Sequence, residues 1–259
     1  TDALARFLEQ QFVEKRQPAA RFVSQLSPTV SDAALTAITD ETGYLISRVT
    51  FQNMNAFTPA LETPEGRVPV AITRPEQHAE EAFVDQYHKT KVLEGEILSF
   101  AIKVQSEPMD VDESARLNQL LSAVRQATHS AKSIRDIRHD LAEFEESPRA
   151  TVSAYVGYFR TATSEFFDQL FNLRRKDDDE VSFADLVELL AQVRESHDRL
   201  HKTIYSDVSD GKLAETEISS LLNVNRALLN SNVALIMALN DYHLDVSQAE
   251  ALEQLPGIV

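Results

Sequence analysis

The chain repeats itself. Leu120, Leu121, Arg125, Ser130 and Asp140 recur 101 positions later as Leu221, Leu222, Arg226, Ser231 and Asp241, each set inside a long helical pattern. A second set, Phe83, Asp85, Leu93, Phe100 and Val104, recurs 100 positions later as Phe183, Asp185, Val193, Leu200 and Ile204. A repeat of about 100 residues is the size of a three-helix unit rather than of a short solenoid repeat. The spacing therefore predicts two tandem helical bundles, and the functional question becomes what the two halves share.

Composition agrees with helix throughout. Only six glycines occur in 259 residues, and 43% apolar with 25% charged residues is ordinary for a globular chain. The formal charge of −16 repels phosphate backbones and anionic lipid, so no nucleic acid is expected as a partner. It suits cations or a basic surface, although a solvated acidic exterior is its commoner meaning. Cysteine is absent, which removes disulfides and thiolate metal sites. No stretch approaches the roughly 18 apolar residues of a membrane span.

Along the chain, residues 1–29 read as a short amphipathic helix (Leu4, Phe7, Leu8, Phe12) and a linker. Residues 30–146 read as the first bundle. Its first helix runs from about Ser31 to Phe57, and Pro59, Pro64, Pro69 and Pro75 then exclude regular helix over 58–75. A second seam ends near Pro108. A third, capped by Asp110 or Asp112, continues through Ile134 and Ile137 to Leu141. Residues 147–245 read as the second bundle, with Ser147-Pro148 opening its first helix and Ser182 with Asp185 boxing the start of its second. Asp210-Gly211 turns the chain into the last long helix, which ends near His243, and 246–259 is left as a C-terminal tail. The predicted fold class is all-α: two antiparallel three-helix bundles in tandem plus the short N-terminal helix.

Three groups of residues could carry chemistry. Asp136 and Asp140 stand one helical turn apart, so both carboxylates can converge on one cation; the plainer reading is a solvated acidic face with Arg135 and Arg138 as ion-pair partners. His197 and His201 have the same spacing, which helix-borne metal sites use, but His197 falls at the seam position of Ile97 and reads more readily as a satisfied core histidine than as a ligand. Asn225 and Asn232 lie seven apart on an inward stripe, where buried amides fix register or form a polar layer. Three Asp-x-x-His spacings occur (Asp85/His88, Asp136/His139, Asp198/His201), but no Glu-x-x-His pair, phosphate-cradling glycine loop or nucleophile elbow. No enzyme is read here.

Two three-helix units with Asp-x-x-x-Asp late in a third helix resemble the PhoU family of phosphate-uptake regulators. The family's Glu/Asp-x-x-x-Asp pattern is met by Asp136 and Asp140; in the second copy Asp241 matches, but Met237 stands where Asp136 would recur, and a shifted register places Asn230 there instead. The stretch Leu26-Ser27-Pro28 through Ala34-Leu35 to Asp40-Glu41, the proline-rich excursion and His129–Asp136 are similar to the cytoplasmic C-terminal domain of bacterial Na⁺/phosphate cotransporters. The likeness spans most of 28–243 and rests on helical pattern and short, degenerate motifs. It implies a non-catalytic regulatory domain on the cytoplasmic side of the bacterial inner membrane, with membrane-spanning transport repeats upstream of Thr1. It implies a metal ion (Fe, Zn, Mn or Mg) at Asp136 and Asp140 and, as partner, the transporter domain or a phosphate-signalling protein; a homodimer is compatible with it. The alternative is a free-standing PhoU-like adaptor that binds a kinase or transporter.

Overall fold

The computed structural model describes residues 18–27, 31–57, 75–173 and 181–253. The N-terminal helix expected over the first sixteen residues and the break at Lys176–Glu180 lie outside them, as does the proline-rich excursion expected over 58–75 except Pro75, which is the first residue of a helix instead. Among the described residues there is no strand. The helices are α1 Ser31–Phe57, α2 Pro75–Val104, α3 Val111–Asp136, α4 Arg138–Glu145, α5 Ala150–Leu173, α6 Phe183–Ser209, α7 Glu215–His243 and α8 Val246–Glu253. The fold is all-α.

Local signals set most of these boundaries. Asp110 makes a capping box with Glu113 at the start of α3, and Ser182 makes one with Asp185 at the start of α6. Gly211, with φ of 68°, ends the turn after α6 in the left-handed conformation that only glycine adopts without strain.

Two boundaries differ from the sequence reading. The seam through Leu141 is not one helix but two, because the chain kinks at Ile137 (φ −104°, ψ 0°). At the kink Ile137 is sealed in the core, while Arg138 reaches across to donate 2.9 Å to the Ala56 carbonyl at the end of α1. Second, the tail holds α8. Asp245 accepts from the Gln248 N–H and the Ser247 hydroxyl and opens that helix, burying Ala249 and Leu252.

The two halves meet through their third long helices. α3 and α7 lie side by side and antiparallel: Arg116 near the start of α3 donates to the Asp241 and Tyr242 carbonyls at the end of α7, and Gln119 to that of Leu244. These bonds satisfy carbonyls that a helix C-terminus would otherwise leave open. Midway, Ser130 meets Ser231, with their hydroxyl oxygens 3.0 Å apart. These serines are equivalent in the repeat, so matching positions of the two antiparallel helices meet. Asn53 from α1 donates to both hydroxyls, at 2.9 and 3.3 Å, and Ser231 also donates to the Ser130 carbonyl.

Core packing follows this pairing rather than the halves. One hydrophobic cluster joins α1, α2 and α3 to Phe166, Phe167 and Leu170 of α5, Leu186 and Leu190 of α6 and Leu235 of α7. The other joins Phe57, Phe83, Ile134 and Leu141 to Tyr155, Phe159, Ile204 and Leu221. Both draw on both halves. The offset-100 pairs serve this packing: Leu93 and Val193, Phe100 and Leu200, and Val104 and Ile204 are all buried.

The chain entering α1 is clamped to the bundle. The fully buried Glu41 carboxylate accepts the backbone N–H groups of Arg21, Phe22 and Val23, and Glu96 accepts that of Ala20 at 2.6 Å. At the far end, Tyr155 donates 2.7 Å to Asp207, which Lys212 also holds. Burial, aided by that bond, raises the Tyr155 phenol, while Lys212 and then Tyr155 lower the Asp207 carboxyl. A carboxylate lowered on folding stabilises above its ordinary range, and that contribution is lost as pH falls through the folded value. Asp207→Asn is therefore expected to flatten the stability profile below about pH 4, read as thermal midpoint against pH; an unchanged acid limb would show that this bond adds nothing.

Candidate functional site

Repeat equivalence shows where the second half departs from a plain core. In the first half Ile97 and Ala101 on α2, and Val124 and Ala131 on α3, are fully buried. Their equivalents are His197 and His201 on α6, and Asn225 and Asn232 on α7. Four apolar positions have become polar, all on facing sides of two neighbouring helices. A buried amide or imidazole costs free energy unless it is hydrogen-bonded. Such a set marks a place where packing has been given up for polar chemistry.

His197, Asn225 and Asn232 line a cleft of about 220 Å³ between α5, α6 and α7. Asn225, only 3% exposed, donates 3.1 Å to the His197 carbonyl. Thr163 of α5 brings a buried hydroxyl into the same cleft, and it has no hydrogen-bond partner among the described residues. Gln169, Gln192 and Asn232 complete a rim rich in amides. The arrangement suits a small polar group that both donates and accepts hydrogen bonds.

His197 stands where this cleft meets an open groove of about 790 Å³ lined by Asp140, His201, Asn223, Arg226 and Asn230. The imidazoles of His197 and His201 stack with centroids 5.7 Å apart and planes 18° apart. Tyr205 meets the outer face of His201 edge-on at 4.8 Å. His197 Nδ1 lies 3.3 Å from Asp198 Oδ1.

Asp136 and Asp140 sit on either side of the Ile137 kink. The exposed Asp136 carboxylate is held by Arg135, whose Nε donates 2.9 Å, and the pair raises the Arg135 guanidinium. Asp140 turns instead to the groove and accepts from Asn223 at 3.4 Å. Among the described residues no three histidine, aspartate or glutamate side chains gather in a metal-binding group. The repeat partners are internal: Met237 packs in the core, and Asp241, 2% exposed, accepts from Asn240. Asn230 lines the groove beside Asp140.

The structure thus brings Asp140, His197 and His201 to one groove, with Asn225 and Asn232 in the adjoining cleft, and leaves Asp136 outside both. Ile97/His197 is visible in the sequence repeat. The other three exchanges fall in the same alignment, but only the burial of the first-half residues shows that they remove core. No family model, curated protein or solved structure matches this chain.

Proposed function

We propose that this chain is a non-catalytic PhoU-like regulatory domain of a Na⁺/phosphate cotransporter, acting through helix-face contacts with the transporter. The observation that supports this most is the antiparallel pairing of α3 with α7 about Ser130 and Ser231, an internal duplication of the kind the resemblance implies. Such a domain works by presenting a rigid helical surface, and the shared core supplies the rigidity. The clamp of Glu41 and Glu96 on residues 20–23 would tie the bundle to chain arriving from a membrane half. Among the described residues no helix is long and apolar enough to cross a membrane.

In this reading Asp136 and Asp140 take a metal ion at the α3–α4 junction, with Asp136 exchanging Arg135 for the cation. The test has two arms. In-frame removal of residues 31–253 from the full gene should leave phosphate uptake active but abolish its adjustment between phosphate-replete and phosphate-starved cells. Unchanged adjustment would overturn the proposal, and a gene that starts at this chain would turn it toward the free-standing adaptor. Calorimetry with Fe³⁺, Zn²⁺, Mn²⁺ and Mg²⁺ on the wild type and on Asp136→Asn/Asp140→Asn tests the metal arm. Identical titrations would remove the carboxylate site without touching the regulatory reading.

A further inference from the structure

The two imidazoles on α6 have no place in the regulatory mechanism above, and the fold gives up core to keep them. Their repeat equivalents Ile97 and Ala101 are fully buried. His197 retains only 21% side-chain exposure, and His201 is also half-buried. One turn apart on a helix, two histidines present their rings on the same face. Here the rings lie nearly parallel, 5.7 Å between centroids, and both line one open groove, so turning one ring about its Cβ–Cγ bond is what brings both in-plane lone pairs to one ion.

We propose that His197 and His201 form a bidentate site for a borderline divalent cation of the Zn²⁺, Cu²⁺ or Ni²⁺ type. Imidazole is a preferred ligand for these ions, whereas Mg²⁺ and Ca²⁺ prefer oxygen. A metal-bound histidine commonly gives its second ring nitrogen to a carboxylate, which fixes the tautomer. Asp198 stands 3.3 Å from His197 Nδ1, in position to do so. With the proton on Nδ1, the Nε2 lone pair is left for the metal. Tyr205 lies edge-on to His201 at 4.8 Å. Asp140 on α4 and Arg226 on α7 share the groove, so its other charged groups balance. With no third protein ligand in place among the described residues, the remaining coordination positions belong to water or to a group from outside.

The proposal does not depend on the regulatory reading, and the probe is the metal alone. Cu²⁺ added to the purified protein should give an electron paramagnetic resonance spectrum with nitrogen hyperfine structure. Zn²⁺ should raise the thermal midpoint. In His201→Gln the Cu²⁺ nitrogen signal should need at least tenfold more metal, and in His197→Gln/His201→Gln it should vanish, although the other histidines remain; Zn²⁺ stabilisation left in that double variant belongs to the carboxylate site. Asp198→Asn should weaken binding about 10-fold or more, as for other carboxylates that orient a ligating histidine. Asp136→Asn should leave the Cu²⁺ nitrogen signal unchanged, because a carboxylate supplies no nitrogen ligand, which separates this site from the carboxylate site. Because His201 lies on the groove side of its helix, His201→Gln keeps the test informative if the His197 variant fails to fold. Equal Cu²⁺ spectra in wild type and His201→Gln would overturn the proposal, as would binding lost in Asp136→Asn but kept in His201→Gln.

Discussion

Ser231→Leu is expected to destabilise the protein by about 3–5 kcal/mol, combining overpacking of a tight contact with the loss of buried hydrogen bonds. Ser231 is 1% exposed, and its hydroxyl lies 3.0 Å from that of Ser130, with Asn53 above both. Leucine brings a bulkier branched side chain to a point where two helices touch through serines. They must separate, and the Asn53 amide loses one of its two acceptors. Ser231→Ala should cost only about 1 kcal/mol, since Ser130 still accepts from Asn53 and no volume is added. Urea unfolding of both variants, together with the Ser130→Ala/Ser231→Ala double-mutant cycle, reads these values. A leucine variant as stable as the alanine variant would mean that the α3–α7 pairing does not hold the halves together.

Phe159→Ala should cost about 3–5 kcal/mol, the range for emptying a large aromatic site in a packed core. Phe159 is fully buried, stacks on Phe144 of α4 with centroids 6.5 Å apart, and belongs to the cluster that includes Ile137 and Leu141. The short α4 keeps its place through Leu141 and Phe144, so its amide hydrogen exchange should rise more than that of α3. Exchange raised evenly in both helices would instead make the loss global. Because α4 carries Asp140 into the groove, the same variant should also loosen that wall of the candidate site.

Much of this molecule is legible in the sequence because helix signals are local. The capping boxes at Asp110 and Ser182, the glycine at 211 and the three-and-four spacing of Leu93, Ile97 and Phe100 act within a turn or two of backbone. The kink at Ile137 is not local. It is accompanied by Arg138 bonding to the end of α1, 82 residues away in sequence, which the pattern around Ile137 does not contain.

The candidate site divides in the same way. His197 and His201, like Asp136 and Asp140, share the one-turn spacing that makes a pair a candidate, and spacing treats the two pairs alike. Only packing separates them: the α3–α4 kink and Arg135 hold Asp136 outside the groove that Asp140 lines, while α6 sets both imidazoles into it.

The sequence by itself determined an all-helical chain, its main helix boundaries and a duplication at an offset of 101. Local backbone preferences and apolar periodicity act over a few residues, and both can be read there. Only the tertiary structure decided that the duplicates pair through Ser130 and Ser231, that both cores span both halves, and that the second half exchanges buried Ile97, Ala101, Val124 and Ala131 for polar groups. Burial is a property of what packs against a residue, and the segments that bury these positions come from distant parts of the chain.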